Sequence, residues 1–421
     1  MRRHDRAVPE ASTIAQTAGP PSRAAFAFIF ITVLLDMLAL GIIIPVMPVL
    51  VSGFLGGDTA RSAEVIGLFG TVWALMQFLF SPVLGALSDR FGRRPVILVS
   101  CLGLGLDYVL MALAPSLTWL FVGRVISGIT SASVSTGFAY VADVTPPAQR
   151  AARFGIIGVA FGAGFVLGPA IGGLAGSIDP RLPFWIAALL GLANALYGWL
   201  ILPESLPQSS RMPFSWRRAN PLGALKLLRS HHELFGLASV NFLSMLAHAV
   251  LPIVSILYLF YRYGWDERAV GLVLAGVGIC SMVVQGALIG PVIKRFGERG
   301  SLIAGQVFGV AGFFIYGAAS TGTLFLAGIP FTALWGLASP ASLALMSRHV
   351  GADEQGQLQG ANASIQGIAS MLGPGLFSLT FAYAIRPELG FQLPGVPFLL
   401  AALLLLIAAV IAWRVTRREQ R

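Results

Sequence analysis

Apolar runs of roughly twenty residues recur along the 421-residue chain, separated by short polar breaks. About twenty helical residues span the hydrocarbon core of a bilayer. Runs this long and continuous predict helices, not the short alternating strands of a membrane barrel. Twelve spans are expected, at 25–52, 63–86, 95–114, 117–142, 152–176, 182–202, 234–260, 269–293, 300–319, 322–346, 357–384 and 394–414. One long polar interruption splits them into two sets of six. The expected layout is an N-terminal tail (1–24), a six-helix half (25–202), a linker (203–233), a second six-helix half (234–414) and a tail (415–421). Within the linker, Trp216 and Leu225 to Leu228 suit either a plain tether or a short amphipathic helix on the bilayer surface.

The two halves share landmarks. Gly85-Ala-Leu-Ser-Asp89-Arg90-Phe-Gly92-Arg93-Arg94 lies between the second and third runs, and a reduced copy, Gly290 to Arg299, follows 205 residues later. The same offset relates Gly168-Pro169 to Gly373-Pro374. Two landmarks at one spacing mark an internal duplication, and duplicated membrane bundles commonly bind solutes at the midplane between repeats. Proline removes a backbone donor inside a helix, while Gly172 and Gly173 allow close helix approach. Spans five and eleven are therefore expected to flex or to seal the halves together.

Composition narrows the class further. Hydrophobic residues make up 56% of the chain and charged residues 11%, a balance no soluble domain of this length shows. The net charge of +10 is laid out by topology: 22 of the 28 Lys and Arg fall on the side of both termini. That predicts cytoplasmic termini in a bacterial-type inner membrane and makes nucleic acid an unneeded partner. Cys101 and Cys280 lie inside apolar runs, and no His set has metal spacing. No metal, no organic cofactor and no enzymatic activity are expected. The expected partners are the lipid bilayer and a small-molecule substrate, with the monomer as the working unit.

Charges at membrane depth are costly and mark function by default. Asp36 in the first run, Asp107 in the third and Arg124 in the fourth qualify. Arginine stays charged when buried, so Arg124 needs a carboxylate partner or an anionic ligand, and Asp36 and Asp107 are the carboxylates available at membrane depth. Asp107 is the first candidate for carrying a proton. His248, Gln77, Asn241, Asn362 and Gln366 are candidates for the substrate path, or for hydrogen bonds between helices. Asp89, Arg90, Arg93 and Arg94, with Asp143 at the end of span four, form a candidate charge cluster on the side of the termini.

These residues resemble the major facilitator superfamily: Gly85 to Arg94 is similar to its signature between spans two and three. Within it the chain resembles the tetracycline efflux group of drug–proton antiporters. Leu35-Asp36 with Gly41-Ile-Ile-Ile-Pro45-Val-Met-Pro48, Ala74-Leu-Met-Gln77, Leu106-Asp107-Tyr108, Gly123-Arg124 with Ser127-Gly-Ile-Thr130, Gly168-Pro-Ala-Ile-Gly172-Gly173, and Glu354-Gln-Gly356 with Leu358-Gln-Gly360 carry the likeness. The resemblance implies an all-α major facilitator fold of twelve transmembrane helices in two pseudo-symmetric halves. It implies Asp36, Asp107 and Arg124 as the intramembrane charged set and Gln77 in the substrate path. Asp89, Arg93 and Asp143 are implied as a cytoplasmic relay that stabilises the outward-open state. The expected activity is proton-coupled export of tetracycline-like or other amphipathic compounds by alternating access. Protons would be the coupling ion, and a tetracycline would bring its own Mg2+. Two positions depart from the group. Its eighth-helix His is Ser281 here, and 300–319 holds no Asp, Glu or His. An uptake carrier or uncoupled facilitator is the alternative, and a membrane enzyme or receptor a distant one.

Overall fold

The computed structural model describes residues 23–131, 133–216, 220–221, 223–229, 232–351, 354–389 and 392–418. Most of the expected N-terminal tail, Arg217 and Arg218 of the linker, and 419–421 lie outside the described residues. Helices dominate, and no strand occurs among the described residues. Eleven helical stretches are long and apolar enough to cross a membrane: Phe26–Phe54, Thr59–Phe91, Arg93–Leu113, Leu117–Val144, Arg153–Gly176, Leu182–Ile201, Glu233–Tyr263, Glu267–Ala318, Gly322–Arg348, Gln355–Ala384 and Val396–Arg417. The eighth has 52 residues, about 78 Å of helix, far more than one crossing needs. It turns at Gly297, whose φ of 71° is left-handed. It thus supplies two crossings, and the total among the described residues is twelve.

Gly92 stands 205 residues before Gly297 and also has a left-handed φ, 108°. The repeat seen in the sequence is therefore a repeat of backbone geometry at positions that glycine suits. The signature motif is less of a loop than its composition suggests. Gly85 to Phe91 finish the second helix, and a new helix starts at Arg93.

Spans one, four, seven and ten, the first of each three, are all interrupted. Span one breaks at 44–46, before Met47–Phe54, where Gly41, Pro45 and Pro48 predict a bend. Span four stops at Thr130 and resumes at Ser133. Span seven breaks at Ala249, between His232–His248 and Val250–Tyr263. Span ten breaks at Gly328 and tightens into a 3-10 turn at Trp335–Leu337.

The halves are sealed on the face away from the signature motif. One buried cluster there joins Ile43, Leu50 and Phe69 of the first half to Val250, Tyr258 and Phe377 of the second. Spans two and eleven meet without room for a methyl group. A Cβ on Gly67 would lie 1.7 Å from Ser378 Oγ, and one on Gly70 2.9 Å from Pro374 Cβ. Spans five and eight do the same: a Cβ on Gly271 would lie 2.5 Å from the Pro169 carbonyl oxygen. In lipid such close backbone packing is a main source of helix association. An ion pair, Arg386 Nη2 to Glu64 Oε1 at 3.0 Å, also crosses between the halves on this face.

The Gly-Pro pairs obey one rule in both halves. Gly168 packs on Gly41 of span one and Gly373 on Ala249 of span seven, each within its own half. Pro169 meets Gly271 of span eight and Pro374 meets Gly70 of span two, each across the seam. Both helices run unbroken through their prolines.

Among its described residues the linker forms 3-10 turns at Gln208–Ser210 and Gly223–Arg229 and no amphipathic α-helix. Leu227 and Leu228 are buried in the second half's core beside Leu234, Leu302 and Ala361. Only Trp216 matches the surface expectation, at 74% exposed.

Candidate transport site and gate

Below the sealed half, spans two and eleven separate. Phe78 fills the space left by Gly367, where a Cβ would lie 2.4 Å from the ring. Beyond that contact a cavity of about 690 Å³ opens toward the signature-motif face, with Asn220 and Pro221 of the linker at its edge. Further along the same two helices, a Cβ on Gly85 or on Gly356 would meet nothing within 4 Å. Gln77 and Gln366 both line the cavity. Gln77 also donates to Ser131 Oγ (2.9 Å), at the interruption of span four.

The other three substrate-path candidates sit elsewhere. Asn241 Nδ2 donates to Asn362 Oδ1 at 3.2 Å, tying span seven to span eleven. His248 is exposed at the break of span seven, its ring 5.8 Å from that of Trp335.

The intramembrane charges form two separate sites. Arg124 Nη2 lies 3.3 Å from Asp107 Oδ2, and the Asp107 side chain is fully buried. Gly123 makes this approach possible, since a Cβ there would lie 2.6 Å from Asp107 Oδ1. Asp107 is six residues from the end of its helix at Leu113, about 9 Å, so the pair sits nearer the sealed face than mid-depth. Asp36 is held by a different partner. Its Oδ1 accepts from Asn194 Nδ2 at 3.2 Å, and Asn194 Oδ1 accepts from the Thr32 hydroxyl at 3.1 Å. Asn194 is completely buried in span six. Sequence reasoning missed it because nothing near it in the chain links it to Asp36, 158 residues away. Its signal was a lone amide in an otherwise apolar helix.

The signature cluster is a set of ion pairs and hydrogen bonds within the first half. Arg93 Nη1 binds Asp89 Oδ1 at 2.5 Å and its Nε binds Asp143 Oδ2 at 3.0 Å. Arg94 donates to the carbonyl of Trp199 at 2.7 Å, whereas Arg90 is exposed and lies over the Phe91 ring. Gly85 contributes its carbonyl, which accepts from Ser88 Oγ at 2.8 Å.

Sequence reasoning also missed Glu204. Its carboxylate accepts from the backbone N–H of Arg93 (2.8 Å) and Arg94 (3.3 Å), the first two residues of span three. A helix start leaves such donors unsatisfied and favours negative charge, so Glu204 caps the helix across 111 residues of sequence. This also explains Gly92: a Cβ there would fall 2.1 Å from Glu204 Oε2. Ser205 Oγ adds a bond to Asp143 (3.2 Å), and Met212 N–H one to the Asp89 carbonyl (3.0 Å). The linker is thus clamped onto the motif.

Comparison with known proteins agrees with this architecture. A profile of the Major Facilitator Superfamily matches residues 29–374 and again 237–421. The class C tetracycline resistance protein of Escherichia coli is 38% identical over 351 residues, covering 83% of this chain and 88% of that protein. Human hippocampus abundant transcript-like protein 1 is 30% identical over 433 residues, covering 96% and 84%. A bacterial homolog of the human lysosomal transporter Spinster, solved in an inward-facing and unoccupied conformation, superposes with a TM-score of 0.77 at 18% identity, covering 95% of this chain and 98% of that one.

Proposed function

The chain belongs to the Major Facilitator Superfamily and is a multi-pass membrane transporter, not an enzyme; we propose that it is a proton-coupled exporter of tetracycline-like or other amphipathic compounds. The signature-motif face is then the cytoplasmic one, in keeping with the positive charge gathered there. The cavity opens to that face while the other is sealed, an arrangement suited to loading substrate from the cytoplasm.

The observation that carries the coupling is the buried Arg124–Asp107 pair. Protonating Asp107 would leave Arg124 without its counter-charge. Breaking a buried pair costs about 3–5 kcal/mol, near the ~5.5 kcal/mol that takes a two-state equilibrium from 1:99 to 99:1. One inbound proton also supplies about 2.3 kcal/mol per 100 mV. Asp36, held by Asn194, is a second titratable position in the same half. Asp89, Arg93 and Asp143 serve as the cytoplasmic gate, and the Gly-Pro pairs as the seal opposite.

An uncoupled facilitator is the second reading. At the 205-residue offset the two positions of the ion pair become Gly312 and Ile329, neither of which is ionisable, and a hydroxyl pair, Tyr316 and Thr332 at 2.9 Å, lies beside them between spans nine and ten. The test is the purified protein in liposomes with a pH-sensitive dye inside. Tetracycline with magnesium and a panel of lipophilic drugs are added to wild type and Asp107→Asn. Drug-dependent proton movement lost in the variant supports antiport. Drug movement without proton flux, unchanged in the variant, favours the facilitator.

A further inference from the structure

Span three is held at both ends by residues that flank span six. At the signature-motif face Glu204, just past the end of span six at Ile201, accepts from the first amides of span three, and Arg94 donates back to the Trp199 carbonyl of span six. Between the ends the two backbones touch: a Cβ on Gly191 would lie 2.9 Å from the Gly105 Cα. At the sealed face the partner is Arg181, the residue before span six begins at Leu182. Its Nη1 donates to the Ala112 carbonyl at 2.8 Å and its Nη2 to the Ala114 carbonyl at 2.9 Å. Arg181 is itself fixed: its backbone N–H donates to Asp179 Oδ1 at 2.7 Å, and its carbonyl accepts from Phe184 and Trp185, which start span six.

A helix end leaves its last carbonyls without partners and favours positive charge. Ala112 and Ala114 are buried, and the guanidinium fork takes both of their carbonyls at once. The seat of Arg124 lies directly beside this anchor. Arg124 Nη2 contacts Asp107 Oδ2 at 3.3 Å and Met111 Sδ at 2.9 Å, one turn apart on span three, and Ala112 is the next residue along. We propose that Arg181 is a positioning residue for the Asp107–Arg124 pair: by fixing the last turn of span three against span six, it keeps Asp107 within reach of Arg124. A shift of about 1 Å would take the 3.3 Å contact past the ~4 Å limit of an ion pair. The role of Arg181 in transport rests on the coupling proposed for that pair; its hold on the pair's geometry does not.

The test measures how strongly Asp107 and Arg124 depend on each other. Purified full-length wild type, Asp107→Leu, Arg124→Leu and the double variant are unfolded in mixed micelles with SDS, and the set is repeated with Arg181→Ala. The coupling is the factor by which the double variant departs from the product of the two single effects on the unfolding constant. It is expected to fall at least tenfold in the Arg181→Ala set, whereas a general loss of stability would lower all four proteins alike and leave it unchanged. Glu204→Ala is the contrast. It removes a cap from the other end of the same helix, roughly 20 Å from Asp107, and should leave the coupling within threefold of wild type. Arg181→Gln, which loses the charge and the fork, takes the place of Arg181→Ala if that variant does not fold. Coupling within threefold of wild type in the Arg181 set, or an equal loss in the Glu204→Ala set, would overturn the proposal. In liposomes, drug-dependent proton movement should fall at least fivefold in Arg181→Ala, and unchanged movement would overturn its role in transport. Unfolding needs neither drug nor gradient, so a wild type that moves no protons would sink the coupling reading and leave the cycle to decide the positioning.

Discussion

Gly67→Ala tests whether the glycine seam holds the sealed face shut. The new methyl carbon would sit 1.7 Å from Ser378 Oγ, 2.6 Å from its Cβ and 3.1 Å from the Pro374 carbonyl oxygen. A backbone-anchored Cβ cannot rotate away, so span eleven must move. Overpacking of this kind costs about 1–3 kcal/mol. That cost falls only on the state with this face closed, whereas alanine's higher helix propensity helps both states equally. The equilibrium should therefore shift about 5-fold to about 150-fold toward the state in which the seam is open and the cavity closed. Ser81, in the cavity wall, is the reporter. Ser81→Cys in a Cys280→Ser background should react with a membrane-impermeant maleimide at least fivefold more slowly when Gly67→Ala is added. Ser378→Gly, which vacates the space, should restore the rate. A folded Gly67→Ala protein labelled within twofold of its parent would refute the claim that this contact sets the balance.

Four further outcomes are expected. Gly92→Ala would force both a left-handed φ on alanine and the displacement of Glu204, so limited proteolysis should cut the linker at least tenfold faster than in wild type. Asn194→Ala strips Asp36 and Thr32 of a buried partner and should lower stability by about 1–3 kcal/mol in thermal unfolding. Asp107→Leu or Arg124→Leu alone should destabilise by about 3–5 kcal/mol, and the double variant should recover most of that without recovering coupled transport in liposomes. Glu64→Gln removes only a half-exposed pair with Arg386; its effect on the labelling equilibrium should correspond to about 0.2–1 kcal/mol and vanish at high salt.

Much of this architecture is legible in the chain because the bilayer simplifies the code. A run of twenty apolar residues has few structural options, so the crossings follow from composition. Charges are rare at membrane depth, which is why Asp36, Asp107 and Arg124 stand out, although only the structure selects Asp107 as the partner of Arg124. The Gly-Pro repeat is equally visible, although only the structure shows that glycine faces its own half and proline the other. What escapes the sequence is chemistry without local context. Asn194 is neutral, and its importance comes from Asp36, 158 residues away. Glu204 reads as a solvated linker residue, yet it caps a helix 111 residues earlier. The interruption of span seven at Ala249 carries no proline or glycine at that position. Asn241 and Asn362 show the reverse case: suited by type to a substrate path, they bond to each other.

Gene duplication made two copies of the signature bend, but a chain of two halves has only one connector. Gly92 is filled from outside by Glu204, while Gly297, with the same left-handed backbone, has nothing within 4 Å. The backbone demand therefore persists in both copies, and the side-chain demand in one. This gives a physical reason for the uneven wear between them: the second bend keeps its glycine, but its neighbours Glu298 and Arg299 pair with Arg348 and Thr416 of the same half instead of with a linker carboxylate that fills the bend. It also predicts how the molecule would tolerate rewiring. A circular permutant opened within 203–233 and joined through its termini would keep both bundles, yet it would loosen the carboxylate that fills the first bend and leave it, like the second, with no side chain against its glycine.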